Sequence, residues 1–324
     1  MWQTHGMEKQ IPKRYLLCRP EGGLNDILSE IGKCISYGKK FGRCVIVETN
    51  SKHHFHFKDV FGKYFNSLNQ DLILDSIPHV HNFNGMSVQP ACLAGHVTHY
   101  SSDEIATLAR GEFLSFDFSR DFSEELLVHH SNGQIKRRNA LIALSQLSLK
   151  QSLVDELEAC LAVLGNDYHA FHIRHTDHKT DYEGRVLALA PSIKGRIFLG
   201  TDNKSVVKFF LEVFGKDRVI TFSKMPDKAG IAAHYGNVGE DIWIRNRDAI
   251  VDLLIIAMAN HYHFFSRESG KRRVFAAYSG YSILAARLRS APQIMRSLLP
   301  VELHNRIKKL DLLSSLRNLR WRYF

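Results

Sequence analysis

Residues 15–47, YLLCRPEGGLNDILSEIGKCISYGKKFGRCVIV, decide the fold. The stretch opens on a short apolar run, Tyr15-Leu16-Leu17-Cys18, and turns at Gly22-Gly23. Ile27, Ile31, Cys34, Ile35 and Gly38 then recur at spacings of three and four, which puts them on one face of a helix ending near Gly42. Cys44-Val45-Ile46-Val47 is a second apolar run. Strand, tight glycine turn, helix and strand make a βαβ unit, and that unit requires a parallel sheet.

The same alternation returns beyond residue 150. Helical periodicity over 153–164 leads into strands at 168–173 and 197–199, a helix at 205–214, a strand at 219–222, a helix at 249–259 and a strand at 262–265. Two α/β series in a chain of 324 residues predict two doubly wound, Rossmann-like domains, 1–150 and 151–324, in keeping with about 150 residues per domain. Residues 52–133 are richer in His, Asn, Ser and Phe and less periodic, and are expected to hold the irregular part of the first domain.

Composition narrows the class. Apolar residues at 44% and charged residues at 23% exclude a disordered chain, and 21 Gly with 8 Pro exclude a collagen-like one. The net charge of +10 points to nucleic acid, an acidic membrane surface or phosphate-bearing substrates. Cys18, Cys34, Cys44, Cys92 and Cys160 are odd in number and form no C-x-x-C pair, so they read as reduced, core-filling thiols of a cytosolic protein. The first 15 residues lack the apolar stretch of a signal peptide. The longest strongly apolar run, 250–259, is too short to span a bilayer. The expectation is a cytoplasmic protein, soluble or peripheral on the inner face of a membrane.

Ligands of open parallel sheets bind at the carboxyl ends of the strands, so the residues just beyond each apolar run matter most. After the first strand come Gly22, Gly23, Asn25 and Asp26, where glycine lets the backbone approach a ligand and a helix N-terminus favours an anion. Plain turn chemistry, with Asp26 as an N-cap, is the alternative. After the strand at 168–173 comes His172-Ile173-Arg174-His175-Thr176-Asp177-His178. Alternation sets His172 and Arg174 on one face, opposite Ile173, and a guanidinium there suits a diphosphate because its planar fork binds oxyanions bidentately. An Arg174–Asp177 ion pair or a metal site of His172, His175, Asp177 and His178 are the other readings. The next strand ends at Thr201-Asp202-Asn203, where Thr201 or Asp202 would cap the following helix or accept from a nucleoside. Ser279-Gly280-Tyr281-Ser282 precedes a helix and offers hydroxyl donors to phosphate, or simply caps.

Taken in order, these stretches resemble the fucosyltransferase superfamily of GT-B glycosyltransferases, which includes α1,6-, α1,2- and protein O-fucosyltransferases. Gly22-Gly23-Leu24-Asn25 is similar to its G-G-L-N loop, His172–Asp177 to its H-x-R-R-x-D motif and Thr201-Asp202-Asn203 to its T-D-x strand end. Asp252-Leu253-Leu254 is similar to an aspartate opening an apolar helix, and Ser279–Ser282 to S-G-F/Y-S. The resemblance implies a GT-B fold with a central cleft and a metal-independent, inverting transfer of sugar from a GDP-sugar, usually GDP-fucose, with no cofactor. It implies that Arg174 stabilises the leaving diphosphate, that Gly23, Asn25, His172, Asp177, Ser279 and Ser282 help hold the donor, and that Asp202 and Asp252 face the nucleoside or orient the loops around it. The chain departs from the motif at His175, where the family has a second arginine, and a basic insert at 271–277 leaves Ser266 or Ser269 as rivals for the role of Ser279. Glu48 and Asp26 are the positional candidates for a general base.

The last 38 residues hold nine basic residues against two acidic, or +7 of the net charge. Leu303, Ile307, Leu310, Leu313 and Leu316 repeat there at helical spacing. Residues 302–324 therefore read as a basic amphipathic helix that can lie on an anionic membrane; the resemblance to GT-B enzymes implies instead that it packs back across the domain boundary, with its charged face still free to meet lipid phosphates. A lipid-linked or other glycan acceptor, in surface polysaccharide synthesis, would suit that location. His53-His54-Phe55-His56 and His129-His130 are expected in exposed loops of the first domain. The chain lacks RNP-type stretches, zinc-finger spacing and a basic region followed by heptads, so no nucleic-acid partner is expected. A nucleic-acid-binding protein and a metal-dependent hydrolase built on the His172–His178 cluster are the rival readings.

Overall fold

A computed structural model of the chain describes residues 14–50, 57–74, 83, 85–131, 139–176, 180–223, 241–266 and 278–307. The first half runs β1 (Arg14–Pro20), α1 (Leu24–Phe41), β2 (Arg43–Val47), β3 (Phe65–Ser67), β4 (Leu72–Ile73), β5 (Val88–Gln89), α2 (Ser102–Ala109), β6 (Leu126–Ser131), α3 (Asn139–Leu144) and β7 (Leu147–Leu149). The second runs α4 (Gln151–Leu164), β8 (Tyr168–Ile173), α5 (Glu183–Leu189), β9 (Arg196–Thr201), α6 (Lys204–Phe214), β10 (Val219–Ile220), α7 (Ile242–Met258), β11 (His261–Phe264), α8 (Gly280–Arg289) and α9 (Pro292–Leu298).

Two parallel sheets organise these elements. The first has the order β4-β2-β1-β6-β5 and the second β10-β9-β8-β11; β3 and β7 form a separate antiparallel pair. In each sheet the chain moves outward on one side of its first strand, then crosses to the other side. The reversals fall between β1 and β6 and between β8 and β11, and crevices at such switch points are where open α/β sheets bind ligands. The βαβ reading of 15–47 is thus observed, with β1 and β2 parallel from Arg14↔Arg43 to Cys18↔Val47. The apolar face of α1 buries Ile27, Leu28, Ile31, Cys34 and Ile35, each contributing about 1.5–3 kcal/mol. One apolar cluster runs from Leu16 and Leu127 through Leu153 and Leu161 to Leu254 and Leu284, so the two sheets share a continuous core. Helices α8 and α9 return from the second sheet to pack on α1, α3 and β7.

His129 and His130 correct the loop expectation. Both lie in β6 and are buried. His129 Nε2 is 2.6 Å from Glu30 Oε2 on α1, and its Nδ1 is 2.6 Å from Ser115 Oγ. His130 Nε2 is 3.0 Å from Glu21 Oε1, and its Nδ1 is 3.0 Å from the Tyr100 hydroxyl. Specific partners, not solvent, take up both rings. The second histidine run, 53–56, lies outside the described residues. Four of the five cysteines are buried, as expected of core thiols, but Cys92 is exposed.

No helix among the described residues is long and apolar enough to cross a membrane. Of the C-terminal segment, residues 302–307 are described, and their apolar side chains pack inward. Leu303 and Ile307 are buried, and Arg306 donates to the Gly165 carbonyl at the end of α4, 2.9 Å away. Residues 308–324 lie outside the described set.

Candidate active site

Three strand ends and two helix starts build the site. After β1, Gly22 takes a positive φ of 105°, which glycine adopts freely, and turns the chain into α1. The N-cap of α1 is Gly23, with no side-chain capping bond, and Asp26 sits in the first turn rather than at the cap position considered above. Asn25 is buried; its Nδ2 donates to Asp26 Oδ1 at 3.3 Å, while its Oδ1 has no partner.

Facing it is the start of α8. A Cβ at Gly280 would stand 3.2 Å from Asn25 Nδ2 and 3.6 Å from its Cγ. The missing side chain therefore lets the N-termini of two helices, one from each half of the chain, come together. Ser279 is the N-cap of α8, yet its hydroxyl makes no capping bond and is buried without a partner. Two convergent helix N-termini, with the Ser279 hydroxyl still free to donate, make a polar cradle that favours an anion, while the unpaired Asn25 Oδ1 can accept from a hydroxyl or N–H at its edge. The sequence signalled Asn25 and Ser279 separately; the closeness that Gly280 permits could be recognised only in three dimensions.

Strand β8 delivers the cation. Its last residue, Ile173, is buried, while His172 and Arg174 on either side are half-buried, which matches the alternation expected of them. His172 Nδ1 lies 2.6 Å from Ser282 Oγ on α8, and its ring is 4.9 Å from that of Tyr281. Burial, with the charge of Arg174 beside it, pushes the His172 imidazole down to about 3. It is therefore neutral near pH 7 and leaves the positive charge at this strand end to Arg174. Ser282 is occupied by His172 and Ser279 is unsatisfied, so the two serines of one motif differ in availability. Ser266, the rival for Ser279, is half-buried after β11; Ser269 lies outside the described residues.

Asp202 does not cap α6. That position belongs to Asn203, whose side chain accepts from Ser205 N at 2.8 Å. Asp202 instead reaches back to the loop after β8: Oδ1 accepts from the His175 amide at 2.9 Å and Oδ2 from the Thr176 hydroxyl at 2.7 Å. Of the two roles considered for Asp202, these bonds match orienting the loop. Asp177 and His178 lie outside the described residues, which leaves the Arg174–Asp177 pair undescribed. Among the described residues no group of three or more His, Cys, Asp or Glu side chains could hold a metal ion.

Asp252 does not open its helix; α7 starts at Ile242 behind the N-cap Asp241, and Asp252 comes almost three turns later. Asp252 Oδ2 accepts from the Ser223 hydroxyl at 2.5 Å, while Oδ1 is buried without a partner. Burial raises its carboxyl to about 7; the Ser223 bond opposes that rise and Asp248 adds to it. Ser223 is a contact that sequence periodicity had no means of indicating.

Glu48 follows β2 and is locked in an ion pair with the buried Arg19 Nε. Arg19 Nη1 also donates to the Val97 carbonyl and the Tyr100 hydroxyl, both at 2.7 Å. Tyr100 then leads to His130 and Glu21. This buried chain lines the carboxyl ends of β1, β2 and β6, and sequence reading missed it because its members lie as far as 109 residues apart.

The sequence matches no protein-family model and no curated protein. Solved structures do match. The fucosyltransferase NodZ from Bradyrhizobium superposes with a TM-score of 0.55 at 16% identity, over 86% of this chain and 94% of that one. NodZ α-1,6-fucosyltransferase soaked with GDP-fucose gives 0.52 at 14% identity, over 86% and 92%. POFUT1 in complex with GDP-fucose gives 0.53 at 12% identity, over 90% and 98%. With two parallel sheets matched over nearly the full length of both chains, this protein has the GT-B fold of these fucosyltransferases.

Proposed function

We propose that the protein is a glycosyltransferase that moves fucose from GDP-fucose to a glycan acceptor by a single inverting displacement, without a metal ion. The observation that carries this reading is the cradle itself. Where the starts of α1 and α8 meet, beside the strand that carries Arg174, Ser279 keeps a hydroxyl that can donate to phosphate and Asn25 an amide oxygen that can accept from a sugar hydroxyl. Of the proteins that share the fold, NodZ has been soaked with GDP-fucose and POFUT1 solved in complex with it.

In this reading the diphosphate lies across the two helix N-termini. An acceptor hydroxyl attacks C1 of the fucose, the C1–O bond to the β-phosphate breaks, and GDP leaves. Negative charge grows on the β-phosphate along this path, and a preorganised guanidinium at Arg174 stabilises that state more than the ground state. Neutral His172 fixes Ser282 at the start of α8. Asp252 offers the nucleoside an acceptor oxygen, and Asp202 holds the Arg174 loop. Both carboxylates considered as bases are engaged, Glu48 by Arg19 and Asp26 by Asn25 Nδ2; we assign the acceptor's proton to Asp26, in the first turn of α1. A lipid-linked acceptor, with residues 308–324 against an anionic membrane on the cytoplasmic side, is the setting we favour.

A thermal-shift panel of GDP, UDP, ADP and CMP, with and without EDTA, tests the donor. A ligand that binds only the folded state raises the melting temperature. GDP should stand out and EDTA should change nothing. An equal response to all four, or to none, would refute the assignment.

A further inference from the structure

The place of the missing second arginine has its own logic. His175 is engaged on the side of α5. Its ring meets Tyr182 edge-on, with centroids 5.2 Å apart, and Tyr182 is buried at the start of α5. Its Nδ1 accepts the Thr180 backbone N–H at 3.2 Å. Thr180 is buried, and its hydroxyl donates to the carbonyl of Arg174 at 2.6 Å. The backbone of His175 is held from the other side: its N–H donates to Asp202 and its carbonyl accepts from Asn203 Nδ2 at 2.8 Å. Four side chains therefore fix the turn after Arg174, and the imidazole is the one that joins Thr180 to it.

We infer that His175 is a positioning residue for Arg174: its Nδ1 anchors the Thr180 amide, and Thr180 in turn holds the Arg174 carbonyl at the end of β8. This deepens the donor reading proposed above and rests on it for the identity of the anion. The inference assigns His175 a bond geometry rather than a charge, so an arginine there would lose the anchor. An Nδ1 that accepts carries no proton, which places the ring hydrogen on Nε2.

The geometry selects its own variants. An asparagine Oδ1 occupies the position of Nδ1, whereas a glutamine Oε1 lies one bond further out. His175→Asn should keep most of the function and His175→Gln should lose it. Two readouts are needed: hydrogen exchange at the Thr180 amide, and affinity for GDP with inorganic pyrophosphate as the minimal probe. In H175Q, Thr180 exchange should accelerate and GDP affinity should fall about tenfold, the factor one ordinary hydrogen bond supplies. H175N should restore both, and H175R, which completes the arginine pair, should bind GDP more weakly than wild type. Unchanged Thr180 exchange in H175Q would overturn the anchor whatever GDP does, and tighter GDP binding by H175R would overturn the positioning role. Wild-type protein that ignores GDP and pyrophosphate would instead defeat the donor reading, while the exchange result would still decide the anchor.

Discussion

Replacing Asp252 by asparagine should make the ligand-free protein more stable and the donor complex weaker. The carboxyl is held near 7, against an ordinary 3.8, because burial penalises its charged form. Folded protein therefore keeps this proton up to about pH 7, whereas the unfolded chain releases it near 3.8. Between those values the folded state carries the extra proton, so stability falls as pH rises through the window, and the loss is complete above it. Ionising such a group costs the fold about 4 kcal/mol in full, which partial contact with solvent reduces to about 2–3 kcal/mol. Asparagine cannot ionise, and its amide oxygen can still accept from Ser223. In urea unfolding D252N should gain about 2 kcal/mol at pH 8. At pH 5, where folded Asp252 is already protonated, the gain should shrink to less than half. If the carboxylate receives donors from the nucleoside, D252N should also bind GDP more weakly. A variant equally stabilised at both pH values would show that the carboxyl is not raised, and one that binds GDP as tightly as wild type would remove Asp252 from the donor site.

Three other perturbations separate chemistry from scaffolding. Arg174→Ala should melt near the wild-type temperature yet lose transfer by about a hundredfold or more, roughly 3 kcal/mol of transition-state stabilisation, measured with GDP-fucose and an acceptor panel; full activity would refute its role. Arg19→Met leaves buried Glu48 without its cation and should cost about 3–5 kcal/mol in denaturant unfolding, and a loss below about 1 kcal/mol would show that the pair is solvated. Deleting residues 308–324 removes five basic residues while sparing packed Leu303, Arg306 and Ile307. It should abolish co-sedimentation with anionic vesicles at unchanged melting temperature, and equal co-sedimentation would end the membrane reading.

What was legible in the sequence follows the length and regularity of each signal. The unit at 15–47 joins two apolar runs by a long amphipathic helix, and the runs fall within β1 and β2; the strand read at 168–173 has the bounds of β8. Strands β4 and β5 are two residues each and carry too little pattern to be read. Strand β6 was hidden for a different reason. Its His129 and His130 look like loop residues until Glu30 and Glu21 are seen to pair with them, 99 and 109 positions away. The site divides the same way. Strand-end position was enough to single out Arg174, Asn25 and Ser279 as candidates, because ligands of open α/β sheets bind in the crevice at the carboxyl ends of the strands. The partners of Asp202, Asp252 and His175 come from other segments, and so their roles emerged only from the fold.

Native interiors satisfy nearly all their buried polar atoms, so where the exceptions fall has meaning. Asn25 Oδ1, Ser279 Oγ and Asp252 Oδ1 come from three separate helices tied together at the start of α8: Asn25 packs on Gly280, and the Tyr281 hydroxyl donates to the Ala249 carbonyl at 2.7 Å, three residues before Asp252 on α7. Local rules broken together at a strand-end crevice mark a place built for something else to complete. Glu30 Oε1 shows that an orphaned atom is not enough by itself. It too is buried and unpartnered, but it lies between α1 and β6, where the other oxygen of Glu30 engages His129 at 2.6 Å. Glu30→Gln keeps an acceptor for His129 and removes a buried charge, so it should leave GDP affinity untouched while stability holds or rises. A fall in GDP affinity in E30Q would mean that the orphaned atoms of this protein do not divide into a donor site and a scaffold, and the convergence at Gly280 would lose its force as evidence of function.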